Sequence, residues 1–441
     1  MEILLAAGVQ HNGRFLGHSR DWPNEHITPL EYAIENRQDE AILLLLDTDF
    51  VTYLRGEHVL EKVMEYHYQP SSRIVTATIE AMVRRSNRLR SLAIAHLSHC
   101  ELDRLCISHR DEQIQILDAY AAPTAKALKN VGVKIPEALE PSLFVSTVYH
   151  CLWYSSGGLT PELADRLWSS GFHDTNTYDE DGFTPLHQAC VYFELNTVNW
   201  LMSHGGDPTT VVRGHSLNAF HLLSYGVKYW ISYKVKHGRA PLLDDTATRI
   251  GRLCGISCQD DCRCACSLQG CTPTTILLRA ATLTWREKVD LFFSWCRFVD
   301  LSPDAIETCC LEFARVETFE RLGITHVCCK IKYSAVSAPM PQDTIEEIQD
   351  EESEMIDQLE SWMILYGQER AKFEGSARQF LGKWSEMLKD ELDVPAPFEE
   401  YWTQECMRDK VTPTTYYFTK PSYVEEMDEE TDEDQDRISD S

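Results

Sequence analysis

The chain has 441 residues, and its 41 basic side chains stand against 69 acidic ones, a formal charge of −28 at pH 7. Such a surface repels nucleic acid, which draws proteins chiefly through Lys and Arg on phosphate, so direct nucleic-acid binding is not expected. The apolar share of 43% suffices to bury real cores, and the length suits two or three units rather than one.

The acidity is concentrated late, with 29 acids and 9 bases in residues 342–441. No membrane span is expected, because the strongest apolar run, Ala41 to Leu46, is far shorter than the ~20 residues a bilayer needs. Met1 to Gly8 carries an acid where a signal peptide has its basic region. Together with 16 cysteines, many in apolar patterns, this reads as a soluble cytoplasmic or nuclear protein with reduced thiols.

In chain order, Leu4, Leu5 and Gly8 read as the tail of a helical unit whose cap would lie upstream. Thr28-Pro29-Leu30 then opens a unit that continues through Ile42, Leu45 and Leu46. Thr caps a helix by accepting a backbone N–H, Pro fits the first turn, and the apolar residues recur on one helical face. Residues 51–140 are helical by pattern without that start signal, either as degenerate repeats or as a helical insert. Their main basic patch, Arg84, Arg85, Arg88 and Arg90, reads as a solvated helix face.

The same ruler returns at Thr184-Pro185-Leu186-His187, followed by Val198, Leu201, Met202 and Gly205 at offsets matching those after Thr28. Glycine there supplies the left-handed conformation that ends the second helix. Weaker copies begin at Thr147-Val148-Tyr149-His150, at Asn218-Ala219-Phe220-His221 and at Gly270-Cys271-Thr272-Pro273. Each copy predicts a helix pair, and the period is near 34 residues. His150, His187 and His221 fall at one repeat position, and that repetition argues for an architectural role rather than a metal or acid–base one.

Asp181-Gly182-Phe183-Thr184-Pro185-Leu186-His187-Gln188-Ala189 resembles the ankyrin repeat, a β-turn plus two antiparallel helices, whose signature is Gly-x-Thr-Pro-Leu-His-x-Ala. The likeness reaches unevenly to about residue 297. The irregular units, long insertions and Cys-rich segment also resemble the divergent ankyrin proteins of filamentous fungi.

Between the later units lie Cys254, Cys258, Cys262, Cys264, Cys266 and Cys271. Thiolates hold zinc tetrahedrally, so a structural zinc is a candidate here, joined by His326, Cys328 and Cys329 or by Cys309 and Cys310 if the fold returns to the loop. The spacings contain no C-x₂-C pair, and buried thiols are the commoner state of such cysteines. No H-E-x-x-H, G-x-S-x-G or phosphate-binding G-x-x-x-x-G-K-[ST] is present.

After a linker at 334–343, Ile345, Ile348, Met355, Leu359, Trp362 and Tyr366 follow helical spacing, and Phe373, Ala377, Phe380, Trp384 and Leu388 repeat it. This predicts a helical hairpin over 344–410, docked on the array as a cap or paired with another protein. The acidic segment 411–441 is expected to be mostly disordered.

The expected fold is therefore all-α: an irregular ankyrin-repeat solenoid with repeats in 1–50 and 141–333, a C-terminal helical hairpin and a disordered acidic tail. The resemblance implies a non-catalytic scaffold that binds other proteins, with no cofactor required. Candidate contact residues are the turn positions Thr177, Tyr178, Glu180, Thr209, Thr210 and Arg213. The alternatives are a transcription co-regulator acting through a partner transcription factor, as in fungal secondary-metabolite pathways, and a zinc-dependent protein using the Cys-rich loop.

Overall fold

Threonine–proline and serine–proline pairs set the helix starts. At Thr28, Thr184 and Thr272 the side-chain oxygen accepts the backbone N–H three residues on, from Glu31 (3.1 Å), His187 (3.3 Å) and Thr275 (3.1 Å). The proline that follows occupies the first turn, where its missing donor would have had no partner. Thr160 and Ser302 cap two more helices in the same way, donated to by Leu163 and Ala305.

A computed structural model describes residues 15–18, 23–47, 53–54, 57–66, 72–105, 107, 121–136, 139, 147–150, 159–236, 258–279, 285–296, 302–327, 331–332, 335–336 and 340–392. The N-terminal tail unit with Leu4, Leu5 and Gly8, Cys254, Cys328, Cys329, residues 334 and 337–339 of the linker, residues 393–410 of the expected hairpin and the acidic segment 411–441 lie outside the described residues.

The helices in chain order begin with α1 (Pro29–Glu35), α2 (Asp39–Leu46), α3 (Val59–Tyr66), α4 (Ser72–His96), α5 (His99–Arg104) and α6 (Ala121–Asn130). The central group is α7 (Pro161–Ser169), α8 (Pro185–Val191), α9 (Leu195–Ser203) and α10 (Ala219–Lys236). There follow α11 (Pro273–Leu278), α12 (Trp285–Cys296), α13 (Pro303–Arg321), α14 (Gln342–Glu351), α15 (Ser353–Lys372) and α16 (Ala377–Leu392). Strands among the described residues form only short antiparallel hairpins: β1 (Phe15–His18) with β2 (Pro23–Ile27), β3 (Tyr53–Leu54) with β4 (Glu57–His58), and β5 (Ile331–Lys332) with β6 (Ala335–Val336).

Helix α8 packs on its partner α9 and on α10, α10 packs on α11, and α11 packs on α13. The short first helices of successive units thus lie side by side, and one apolar cluster runs through them from Leu30 to Leu388. Leu186, Ala189 and Cys190 of α8 and Val198 and Leu201 of α9 are buried in it, as the 3.6-residue period requires. Gly171 and Gly205, at φ 98° and 90°, end the second helices of their units.

Residues 51–140 divide between two cores. Val59, Leu60 and Val63 of α3 and Ile74, Ile79 and Met82 of α4 join the array's cluster, which places this pair between the first and central units. Farther along α4, Leu89, Ala93 and Leu97 form a separate cluster with Leu102, Ala125, Leu128 and Leu139. The basic patch is not simply solvated. Arg84 donates to the Leu46 carbonyl at 2.9 Å, at the negative end of α2, and the buried Arg85 reaches the Leu139 carbonyl at 3.4 Å. Both guanidiniums serve backbone oxygens that a solvent-facing reading of the helix does not supply.

Helices α15 and α16 pack on α13, and α16 also meets α12. Phe380, Leu381, Trp384 and Leu388 are fully buried there, with the Trp384 ring edge-on to Trp362 and Tyr366 at 5.7 and 5.1 Å. Arg315, Arg370 and Arg378 pair with Glu360, Glu307 and Asp290 around this contact. The hairpin therefore covers the end of the stack. Trp384→Ala is expected to cost roughly 3–5 kcal/mol, the range for emptying a buried aromatic site, and urea unfolding measures it; a loss under 1 kcal/mol would show that the cap is loosely seated.

Candidate functional site

Three imidazoles connect four turns. The His150, His187 and His221 Nδ1 atoms each accept the backbone N–H of the residue three positions earlier, Thr147 at 3.2 Å, Thr184 at 3.0 Å and Asn218 at 3.3 Å. With Nδ1 thus occupied as an acceptor, the proton sits on Nε2 and points to a carbonyl of the next turn. The acceptors are Phe183 at 2.9 Å, Thr210 at 2.9 Å and Cys271 at 3.0 Å. The residues joined are 33, 23 and 50 positions apart in sequence. Successive turns are locked at one bond's distance whatever chain length lies between them.

Burial is what keeps these rings neutral. Desolvation outweighs the favourable carbonyl contacts and holds His150 at about 3 and His187 and His221 at about 4, against an ordinary 6.5.

The turns themselves project beyond this ladder. Between the central pair and α10, Val211 bridges to Asn218, and Val212 donates to the Leu217 carbonyl at 2.8 Å, making a small hairpin finger. The preceding finger is closed by Asp179, whose carboxylate accepts from Phe183 N–H at 2.8 Å and from Gln188 at 2.7 Å. Gly182 sits at φ 82°, and a Cβ there would come within 2.7 Å of the Arg213 Cβ, so the close approach of adjacent fingers requires glycine. The Gly182 carbonyl accepts the Arg213 N–H at 3.0 Å.

The six expected contact residues all fall on these turns. Glu180, Thr209 and Arg213 are exposed, whereas Thr177, Tyr178 and Thr210 are half-buried. Several also bind within the chain. The Tyr178 hydroxyl donates to the Val211 carbonyl at 3.0 Å, and the Arg213 guanidinium lies 4.9 Å from the Tyr178 ring centre. Thr209 and Thr210 donate to the Asp207 carboxylate at 2.7 and 3.1 Å, contacts that favour its ionised form and hold its pKa below the usual carboxylate range. Sequence reasoning missed Val211, an exposed apolar residue between Tyr178 and Arg213. Two adjacent valines, Val211 and Val212, carry no alternation in the sequence that tells which one is exposed. Asn176 was also missed; its amide donates to the Gly205 carbonyl at 2.8 Å and accepts from Asp207 N–H at 3.1 Å, tying loops at the far end of the units.

The cysteines of the later segment divide into neighbouring groups. The Cys264, Cys266 and His326 ligand atoms lie within 4.8 Å of one another, and so do those of Asp260, Cys262 and Cys271. Cys258 joins neither group and instead contacts the Asn218 side-chain oxygen at 3.8 Å. Cys309 and Cys310 are buried on α13, Cys309 beside the Thr274 hydroxyl at 4.0 Å. Burial pushes the Asp260 carboxyl up to about 6, although it accepts from Cys271 N–H and Cys262 N–H.

Among comparisons with known proteins, the ankyrin repeat family matches residues 181–212. No curated protein matches the chain. The matched segment holds α8, α9, the His187 rung and Val211 and Val212 of the finger, and with the stacked helix pairs it makes the fold all-α and ankyrin-like. No helix among the described residues is long and apolar enough to cross a membrane.

The rungs have a pH consequence. Because the folded imidazoles titrate below 6.5, their stabilisation is complete above that pH and is lost as pH falls towards 3–4, roughly 2 kcal/mol each by pH 5. Glu312, raised by burial to about 7, and Asp260 work the other way, binding protons in the folded state as pH falls through that range. Global stability therefore mixes opposite slopes, and the rings must be read directly. Imidazole nitrogen shifts of all three histidines are expected to keep the neutral Nε2–H pattern from pH 7 down to pH 5; protonation of any of them near 6.5 would contradict its rung.

Proposed function

We propose that the chain is a non-catalytic scaffold that binds other proteins through its row of projecting turns. The observation that carries this reading is the separation of duties between layers. Ladder and helices hold the turns at a fixed spacing, and the tips offer Glu180, Val211 and Arg213 outward. An exposed valine flanked by an aromatic–guanidinium pair and an acid is a small apolar centre with a charged rim, the composition of a protein contact. The ankyrin-repeat match over 181–212 supports the same role.

Recruitment by a transcription factor is one form of such binding, and the identity of the captured protein decides it. A zinc requirement for that binding has no support of its own in the geometry of the turns.

The test places a photo-crosslinking residue at Glu180 or at Arg213 of the full chain in its native cells, with Asn199, exposed on α9, as the control position. The two turn positions are expected to capture a common protein that Asn199 does not. Equal capture from Asn199, or no common protein at the turns, overturns this surface. Tyr178→Ala combined with Arg213→Ala removes the ring–guanidinium contact, which at an exposed site contributes about 0.5–1 kcal/mol. The double variant is expected to reduce capture at least tenfold with a melting temperature lowered by only a few degrees.

A further inference from the structure

The last rung of the ladder ends on Cys271, at the edge of the cysteine groups. The segment before it is tightly determined. Asp260 N–H donates to the Cys271 carbonyl at 3.1 Å, while its carboxylate accepts the Cys271 N–H at 2.5 Å. Gly270 stands at φ 110°, and a Cβ there would fall 1.9 Å from the Asp260 carbonyl oxygen. Cys264 and Cys266 flank a turn in which Ser267 N–H donates to the Cys264 carbonyl at 3.1 Å. The buried Arg315 of α13 fixes the middle of that turn through the Ala265 carbonyl at 2.9 Å. His326 arrives from the segment after α13, its ring 4.4 Å from the Phe319 ring.

Distances within the group suit one particular ion. Zinc holds thiolate sulfur at about 2.3 Å and imidazole nitrogen at about 2.0–2.1 Å, so a tetrahedral site has sulfur–sulfur edges near 3.8 Å and sulfur–nitrogen edges near 3.6 Å. Cys266 Sγ lies 3.8 Å from Cys271 Sγ, and Cys264 Sγ lies 3.7 Å from His326 Nδ1. Each distance matches one edge of such a tetrahedron, and the ligand atoms of Cys264, Cys266 and His326 already lie within 4.8 Å of one another. Cys264, Cys266, Cys271 and Cys262 are thiols rather than disulfides, and the first three are almost completely buried. Three soft sulfurs and a nitrogen are ligands for zinc and unsuited to calcium or magnesium, which take oxygen.

We propose that Cys264, Cys266, Cys271 and His326 form a structural zinc site that joins the turn before α11 to the segment after α13. Cys271 turns from Asp260 and Cys262 toward the ion to close the fourth position. With all four positions filled by the protein, the ion has no open place for substrate and acts as a staple. Its location gives it a task. The Gln349 amide of α14 donates to the Arg263 carbonyl at 2.8 Å, and Thr325 donates to Glu352, so the same junction carries the C-terminal helices. Losing the ion loosens both the last rung and the seat of the cap.

The test uses the full chain, expressed with zinc and purified without chelator, and elemental analysis. One zinc per chain is expected, retained in Cys258→Ser and Cys262→Ser and lost in Cys264→Ser and His326→Ala. Because those variants also risk misfolding, the wild-type chain is stripped with chelator and titrated with cobalt(II). A tetrahedral visible spectrum with sulfur charge-transfer bands supports the site, as does faster hydrogen exchange in α14 to α16 of the stripped chain. Metal-free protein that also gives no cobalt spectrum overturns the proposal. So does zinc that survives His326→Ala but not Cys262→Ser, or iron with visible absorbance in place of zinc.

Discussion

The central turns among the described residues are held together by imidazoles with both nitrogens occupied. One accepts from its own helix cap, and the other donates to the carbonyl of the next turn. The arrangement fixes the tautomer, the ring orientation and the distance between units together, and it works only in a buried, neutral ring. Burial is supplied by the apolar helix faces on either side, so side-chain packing and the polar ladder depend on each other. A cap residue with an acceptor, a histidine three positions later and an apolar stripe are all that the repeat asks of its sequence.

Where those conditions fail, the ladder stops. In the first unit Glu31 occupies the histidine position, and its carboxylate accepts the Thr28 N–H at 2.6 Å, completing the cap without reaching another turn. In the last unit Thr275 stands there, and Thr272 instead donates to Glu312 of α13 at 2.7 Å. Burial pushes that carboxyl up to about 7, well above the usual carboxylate range. Beyond this point the stack continues without imidazole rungs, through apolar contact and the ion pairs of Arg315, Arg370 and Arg378, and a helical hairpin finishes it. The exposed ion pair at that contact, Arg378 with Asp290, contributes little by itself.

Much of this organisation was readable in advance, for a reason that lies in the chemistry of helix starts. Thr28, Thr184 and Thr272 announce themselves because capping is local, and His187 is recognisable because it sits at a fixed offset from its cap. The hairpin of α15 and α16 follows from two stretches of helical period, one through Tyr366 and one through Trp384, and the break at Glu352 separates α14 from α15. What sequence could not supply is direction in space. Arg84 and Arg85 are adjacent in a basic run, yet each turns to a backbone carbonyl contributed from far along the chain. Cys258 and Cys264 belong to one cysteine-rich stretch, but only Cys264 meets His326, because α13 carries the chain back over the loop. Turn tips were identified as exposed surface, while the bonds that Tyr178, Thr209 and Thr210 make within the chain depend on how two fingers approach.

The unequal separations along the ladder bear on how such a protein tolerates change. A contact spanning 50 residues is made with the same geometry as one spanning 23. Chain-closure entropy grows only with the logarithm of length, so the longer detour costs about 0.7 kcal/mol more, less than a typical hydrogen bond returns. Extra segments can therefore be accommodated between rungs at small thermodynamic expense, provided the receiving carbonyl is delivered to the same place. On this view the uneven spacing of the units is an expected outcome of an architecture indifferent to what happens between its points of attachment.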